Sequence, residues 1–451
     1  MTAPAKRPPD SKPGGGKPGG LLWQRNFRLL WTGETISSAG SSMAVVGVPL
    51  LAVTVLHAST FAVSVLTAAA YLPWLVVGLP AGAWVDRLPA RPLMIVCDVI
   101  SALLYASLPA AAWLGMLSIG QVIAVALLAG TANVFFATAY QVCLPSLVTA
   151  AELVEGNAKL QGGYSVATIA GRGAAGLAAD AVGAAAALLF NAASFLVSAA
   201  CLLAIHPTPL PQTEKPEKPE TLLKETWRGI RFVARDPYLR PLTLYAAAAN
   251  LAYTGNLALV VIFLIRVAGL GSAAVGLLIA TGGVGGLLGA LLAPRLTRAF
   301  GTARTLILTS LGTGVFGLLI PLTARGPRIA CYLIGAALVS GGIVVGNVIA
   351  GSFRQQYCPP AMLGRVTASM RFLAFGMIPL GALLAGTLGT ALGVRAGLWI
   401  VQAIFATSGS FLITPSILTS RNLPGPQHQP AAGSCSAIVA RSSARSTPRP
   451  R

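Results

Sequence analysis

Residues 184–205 read AAAALLFNAASFLVSAACLLAI, a run with no charged side chain. The next stretch, residues 206–240, reads HPTPLPQTEKPEKPETLLKETWRGIRFVARDPYLR and is rich in proline and charge. A helix of about 20 apolar residues spans the hydrocarbon core of a bilayer. The first stretch therefore reads as a membrane span and the second as a connection outside the membrane.

Eleven further runs of the same kind lie on either side of that break. The twelve predicted spans cover residues 29–56, 61–84, 93–114, 119–143, 161–182 and 184–205, then 241–265, 273–294, 304–324, 329–352, 366–390 and 396–418. The turns near 182–184 and 390–396 are very short, so helix must stop and restart there within a few residues. The whole chain agrees with this reading. Of its 451 residues 55% are hydrophobic and only 10% charged, where a soluble domain carries about a quarter charged residues. The mean hydropathy is +0.74. In lipid every backbone polar group must be satisfied internally, which leaves helices or closed barrels. The long unbroken runs favour helices over the alternation of a barrel strand. The fold class is an all-α membrane protein of twelve transmembrane helices.

The domain organisation follows. Residues 1–26 form a Pro/Gly/Lys-rich arm, 27–205 a first set of six spans, 206–240 a linker, 241–418 a second set of six, and 419–451 a polar tail; both ends read as disordered. Within the linker, 221–235 mixes Leu222, Leu223, Trp227, Ile230 and Phe232 with Lys224, Arg228, Arg231 and Arg235. That mixture suits a helix lying on the membrane surface or a solvated linker helix. No cleavable signal peptide is evident.

The net charge of +20 is concentrated in tails and short connections, which argues against nucleic acid as a partner. Lys and Arg mark the cytoplasmic side. With both termini inside, all 32 cationic residues lie in or beside cytoplasmic segments except Arg266, Arg325, Arg328 and Arg395 in outer loops and Arg172 within a span. The six cysteines are scattered, with no metal-ligand or disulfide spacing. Neither a metal nor a cofactor is expected, and no nucleophile–base constellation suggests an enzyme.

Between spans 2 and 3 the chain reads GAWVDRLPARPL, residues 82–93, and a shorter echo, PRLTRAFGTAR, follows span 8 at 294–304. These stretches and the six-plus-six layout resemble the major facilitator superfamily. NFRLLW at 26–31, YQVCLP at 140–145 and LGRV at 363–366 are similar to the branch of enterobactin exporters and actinobacterial drug-efflux proteins. The resemblance covers roughly residues 24–418. It implies two six-helix bundles, a substrate site between them lined by spans 1, 4, 7 and 10, and alternating access by rocking of the bundles. It also implies that Gly82, Asp86, Arg87, Arg91 and Asp98 form a latch between the bundles; the plainer reading of that loop is a set of charges that fixes topology. The chain departs from the pattern at Arg172, where Pro is usual, at Ser101 and Ala137, where charged residues are common, and at Ala90. Those departures bear on whether coupling is retained.

Secondary transport needs a charge-changing group at membrane depth. After Asp236 the chain contains no Asp or Glu, so any such carboxylate lies in the first half. Asp180 falls at a span end and Asp98 near the latch. Glu34, about six residues into span 1 and so about 9 Å deep, is the candidate for proton coupling; the alternative is a helix-end glutamate paired locally. Arg172 lies mid-span, where an arginine costs about 2.5–3.5 kcal/mol on insertion scales. It either faces the cavity, pairing with Glu34 or a substrate acid, or snorkels without function. Asn133, Phe136 and Tyr140 share a face of span 4, Asn250 and Tyr253 share a face of span 7, and Asn347 lies in span 10. They line a substrate cavity or, alternatively, make interhelical hydrogen bonds and lipid contacts. GRGAAG at 171–176 matches a dinucleotide fingerprint but follows no strand, and its glycines more simply permit close helix packing.

The expected activity is proton-coupled export of a hydrophobic or amphipathic small molecule by a monomer in a bacterial cytoplasmic membrane. The partners are that substrate, protons and the lipid bilayer, without ATP. The alternatives are a uniporter or importer of an acidic solute, and a non-transporting sensor or degenerate paralogue.

Overall fold

The computed structural model describes residues 21–78, 84–85, 88–148, 152–206, 230–358 and 360–424. Twelve long helices order the chain. They are α1 (Arg25–Thr54), α2 (Thr60–Val76), α3 (Ala90–Trp113), α4 (Ile119–Leu147), α5 (Leu153–Val182) and α6 (Ala184–Ala204), then α7 (Leu239–Ile262), α8 (Ser272–Phe300), α9 (Thr302–Gly317), α10 (Ile329–Tyr357), α11 (Pro360–Ala391) and α12 (Val394–Ser408). Nine helical segments among the described residues are long and apolar enough to cross a membrane. The three that fall short have visible reasons. Helix α2 is apolar but only 17 residues long, α5 carries Lys159 and Arg172, and α12 gives way to a 3-10 turn at Gly409–Leu412.

The turns at 183 and 393 are made the same way, as is the one-residue turn at Gly301 between α8 and α9, with φ 87° and ψ 162°. Gly183 has φ 85° and ψ 150° between α5 and α6, and Gly393 has φ 88° and ψ 151° between α11 and α12. That backbone region is essentially restricted to glycine, so each helix ends and the next begins within one or two residues. Gly183 and Gly393 correspond in the first and second halves of the chain.

Helices α1–α6 pack mainly among themselves, as do α7–α12; α5 against α8 and α2 against α11 join the two bundles. Lipid supplies no hydrophobic drive between helices, so close approach through small residues carries the packing. Gly176 faces Gly276, Gly173 faces Ala280, and Gly283 faces Ile169 along α5–α8. Gly386 meets Ser64 and Gly389 meets Thr60 along α2–α11. All these contacts lie toward the end of the bundle away from the chain termini. Arg266, after α7, donates across the same end to the Ala58 carbonyl at 2.6 Å.

The buried apolar residues repeat this asymmetry. One continuous core runs through both bundles at the loop end, including Leu50, Leu66, Val125, Leu188, Leu259 and Val275. At the end that holds the termini there are two cores, one around Phe27, Met94 and Leu202 and one around Leu306, Phe353 and Leu412. The bundles are thus joined at the loop end and separately packed at the terminal end.

The predicted linker helix at 221–235 lies outside the described residues except for its end, where 230–235 is helical. Asp236 then caps α7: its Oδ1 accepts from the Tyr238 and Leu239 amides at 2.9 and 2.8 Å, and its Oδ2 accepts from the Tyr357 hydroxyl at 2.9 Å. Residues 1–20 and 425–451 also lie outside the described set.

Candidate substrate and proton site

A cavity of about 240 Å³ is enclosed chiefly by α1–α4. Ser41, Val45 and Pro49 come from α1, Thr67, Tyr71 and Trp74 from α2, Asp98, Ser101 and Tyr105 from α3, and Asn133 and Phe136 from α4; Phe195 and Leu257 close it from α6 and α7. The Tyr105 ring stacks on Phe195 at 5.9 Å, and the Trp74 ring meets Phe375 of α11 edge-on at 6.3 Å. This lining is mostly apolar and aromatic with a few polar groups, the character of a pocket for a drug-sized ligand. It differs from the expected site between the bundles in drawing almost wholly on the first bundle.

The polar groups cluster at one end. Asp98 is 1% exposed, and its Oδ2 has no hydrogen-bond partner. Its carboxylate accepts from Ser198 and lies within electrostatic reach of Glu34. Glu34 accepts from Ser38 one turn further along α1, and Tyr140 of α4 lies within reach of Glu34. Two carboxylates, two hydroxyls and a phenol from α1, α3, α4 and α6 therefore lie within electrostatic or hydrogen-bond reach of one another inside the first bundle. The one ion pair among the described residues is Lys159–Glu155 at 2.6 Å, at the start of α5.

Of the expected latch residues, Arg91 and Asp98 are among those the structure describes. Gly82, Asp86 and Arg87 lie outside the described residues. Arg91 does not meet Asp98: its Nε and Nη2 donate to the Leu202 and Leu203 carbonyls at 2.6 and 2.7 Å. It thereby satisfies carbonyls that the end of α6 leaves open. Ser101, standing where a charged partner is common, lines the cavity one turn from Asp98. That substitution leaves Asp98 paired with a serine and facing a glutamate.

Of the expected cavity residues, Asn133 and Phe136 line the cavity, and Tyr140, outside the lining, lies within electrostatic reach of Glu34. Asn250 is occupied within its own helix, donating to the Ala246 carbonyl at 2.9 Å. Asn347 is exposed on α10. Tyr253 lies within electrostatic reach of Tyr71 and Tyr332, and Arg172 reaches the same two rings. Tyr71, Trp74, Tyr105 and Tyr332 were not singled out from the sequence. Tyr71 and Trp74 stand three residues apart, one helical turn, but an aromatic in an apolar span faces lipid as readily as a cavity.

Twelve helices in two bundles, joined at one end around a small-residue seam, define a membrane transporter of the two-bundle type. A family profile described as transmembrane secretion effector matches residues 20–424. The MFS-type transporter y4rN of Sinorhizobium fredii, itself uncharacterized, is 31% identical over 355 residues, 76% of this chain and 84% of that protein. The multidrug efflux pump Tap of Mycolicibacterium fortuitum is 30% identical over 372 residues, 80% of this chain and 88% of the pump. The chain belongs to the major facilitator superfamily, within its transmembrane secretion effector family. Solved structures share the fold at low identity. The nucleoside transporter NupG superposes with a TM-score of 0.68 at 12% identity, covering 86% of this chain and 97% of that one. A bacterial homologue of the iron transporter ferroportin, in an inward-facing state, gives 0.64 at 16% identity, covering 87% and 98%.

Proposed function

We propose that the protein exports hydrophobic or amphipathic small molecules from the cytoplasm, with protons moving inward through Glu34 and Asp98. The observation that carries this reading is the buried Asp98 carboxylate at the wall of an aromatic cavity, with Glu34 within electrostatic reach and no ion pair to either among the described residues. A membrane-depth carboxylate is costly and generally functional. In this reading the pair binds a proton when substrate is absent. Substrate entering beside Asp98 changes its surroundings and releases that proton. The multidrug efflux activity named for the Tap relatives agrees with a cavity lined mainly by apolar and aromatic groups.

The termini are assigned to the cytoplasm from the distribution of Lys and Arg, in the cytoplasmic membrane of a bacterium. The separately packed end then faces inward, so the conformation is open toward the cytoplasm, and a bundle rotation about the α5–α8 and α2–α11 seams would expose the cavity outward. Segments 27–205 and 241–418 move as the two bodies. The test is proton release from purified protein in weakly buffered detergent while lipophilic drugs are titrated. Wild type releases protons with saturation. Glu34→Gln and Asp98→Asn bind the same drugs with little or no release. Binding without proton release in wild type would overturn the coupling and leave a uniporter.

A further inference from the structure

Arg172 stands apart from the carboxylate pair. Glu34, the sequence candidate for its counter-ion, is engaged with Ser38, Asp98 and Tyr140 instead. The Nε of Arg172 is buried and has no hydrogen-bond partner, and among the described residues no carboxylate forms an ion pair with it. Its neighbours in the helix fix where it stands. Gly171 packs on the Ala39 backbone of α1, while Gly173 and Gly176 pack on Ala280 and Gly276 of α8. Arg172 therefore occupies the wedge between the α1 face and the α8 face of α5, next to the joint between bundles. Tyr71 of α2 and Tyr332 of α10 lie within electrostatic reach of it, and Tyr253 of α7 within reach of both. Tyr332 is 4% exposed, so its phenol is held away from bulk water.

A guanidinium at membrane depth is retained where water, a partner acid or a ligand compensates it. Phenol hydroxyls donate readily to an anion, and a guanidinium donates through a fork that matches a carboxylate. The C-terminal half contributes no Asp or Glu beyond Asp236, so nothing acidic faces Arg172 from α7, α8 or α10.

We propose that Arg172 with Tyr71, Tyr253 and Tyr332 forms an anion-binding site between the bundles that takes the carboxylate, or a like acidic group, of an amphipathic substrate. This deepens the export reading by naming a substrate class, an apolar molecule bearing one acidic group. The apolar body occupies the cavity that Tyr71 also lines, and the acidic group reaches the seam. Because the site takes groups from α2 and α5 on one side and α7 and α10 on the other, the ligand contacts both bundles at once.

The test uses full-length protein in an uncharged maltoside detergent with two fluorescent probes, 1-pyrenebutyrate and its neutral amide. The expected wild-type preference for the carboxylate is about tenfold or more, the size of one charge-assisted interaction. Arg172→Gln brings the two affinities together, Arg172→Lys keeps part of the preference, and Tyr332→Phe weakens the acid alone. Equal wild-type affinities, or a preference that survives Arg172→Gln, would overturn the proposal. If Arg172→Gln does not fold, unchanged preference in both Arg172→Lys and Tyr332→Phe overturns it as well. Glu34→Gln separates the two readings: acid preference persists there while ligand-linked proton release is lost. Preference without any proton release in wild type refutes proton coupling and leaves the anion site standing.

Discussion

Gly176 of α5 and Gly276 of α8 approach so closely that a β-carbon on either would stand 2.7–2.8 Å from the other's Cα. Real β-carbons do not tolerate such distances, so the joint between bundles at the loop end depends on the lack of a side chain at both positions.

Gly276→Val therefore forces α5 and α8 apart. Expected is a transporter that inserts but cannot close its outer end. In spheroplasts, a cysteine at Thr60, which lies against Gly389 across the other seam, reacts faster with an impermeant maleimide than in the parent. An unchanged rate would mean that the seam does not control this closure.

Arg266 provides a smaller test of the same joint. Its hydrogen bond to the Ala58 carbonyl crosses from one bundle to the other at 2.6 Å. A charge-assisted bond contributes about 1.5–3 kcal/mol, less where water reaches it. Arg266→Ala is expected to shift the population away from outer closure, measured as a several-fold rise in Thr60→Cys labelling, with the thermal midpoint in detergent nearly unchanged.

The fold was legible because its determinants are local. Span length, hydropathy and the placement of Lys and Arg each act within a helix or its ends, and even the abrupt turns at Gly183 and Gly393 fall where short breaks were read. Glu34 and Arg172 stood out because charge is rare in lipid. Their partners did not, since partnership depends on which helix faces which. Asp98 was read with the latch from its neighbours in sequence, and its reach to Glu34 of α1 and Ser198 of α6 comes from helix packing that the sequence does not display. Tyr71 and Tyr332 carried no sequence signal, because an aromatic ring is at home against lipid, core or ligand. Asn250 shares a helical face with Tyr253, but its amide is satisfied by its own helix, which periodicity cannot show.

Asp236 tests the packing of the second bundle independently of transport. It caps two amides of α7 and accepts from Tyr357 at the end of α10. Loss of a helix cap costs about 0.5–2 kcal/mol. Asp236→Ala is expected to lower the unfolding temperature in detergent by a few degrees while drug affinity in the folded fraction holds. A large change in affinity with no loss of stability would contradict the assignment as a structural tie.

Trp74 lines the cavity and meets Phe375 of the other bundle edge-on. A drug in the cavity should quench its fluorescence. Trp74→Phe is expected to remove most of that ligand-dependent signal and to weaken binding, since an aromatic pair contributes about 0.5–1.5 kcal/mol beyond its buried area. Full quenching in the variant would place the ligand elsewhere.

Transport in proteoliposomes tests the central claim most directly. Purified wild type, Glu34→Gln and Asp98→Asn would be reconstituted with an imposed pH gradient, following a lipophilic drug and internal pH together. The account predicts that the gradient drives the drug uphill with matching proton movement in wild type. Both variants retain only downhill exchange. Uphill transport that persists at the wild-type rate in Glu34→Gln and in Asp98→Asn, or wild-type transport indifferent to the gradient, would contradict proton coupling through this pair.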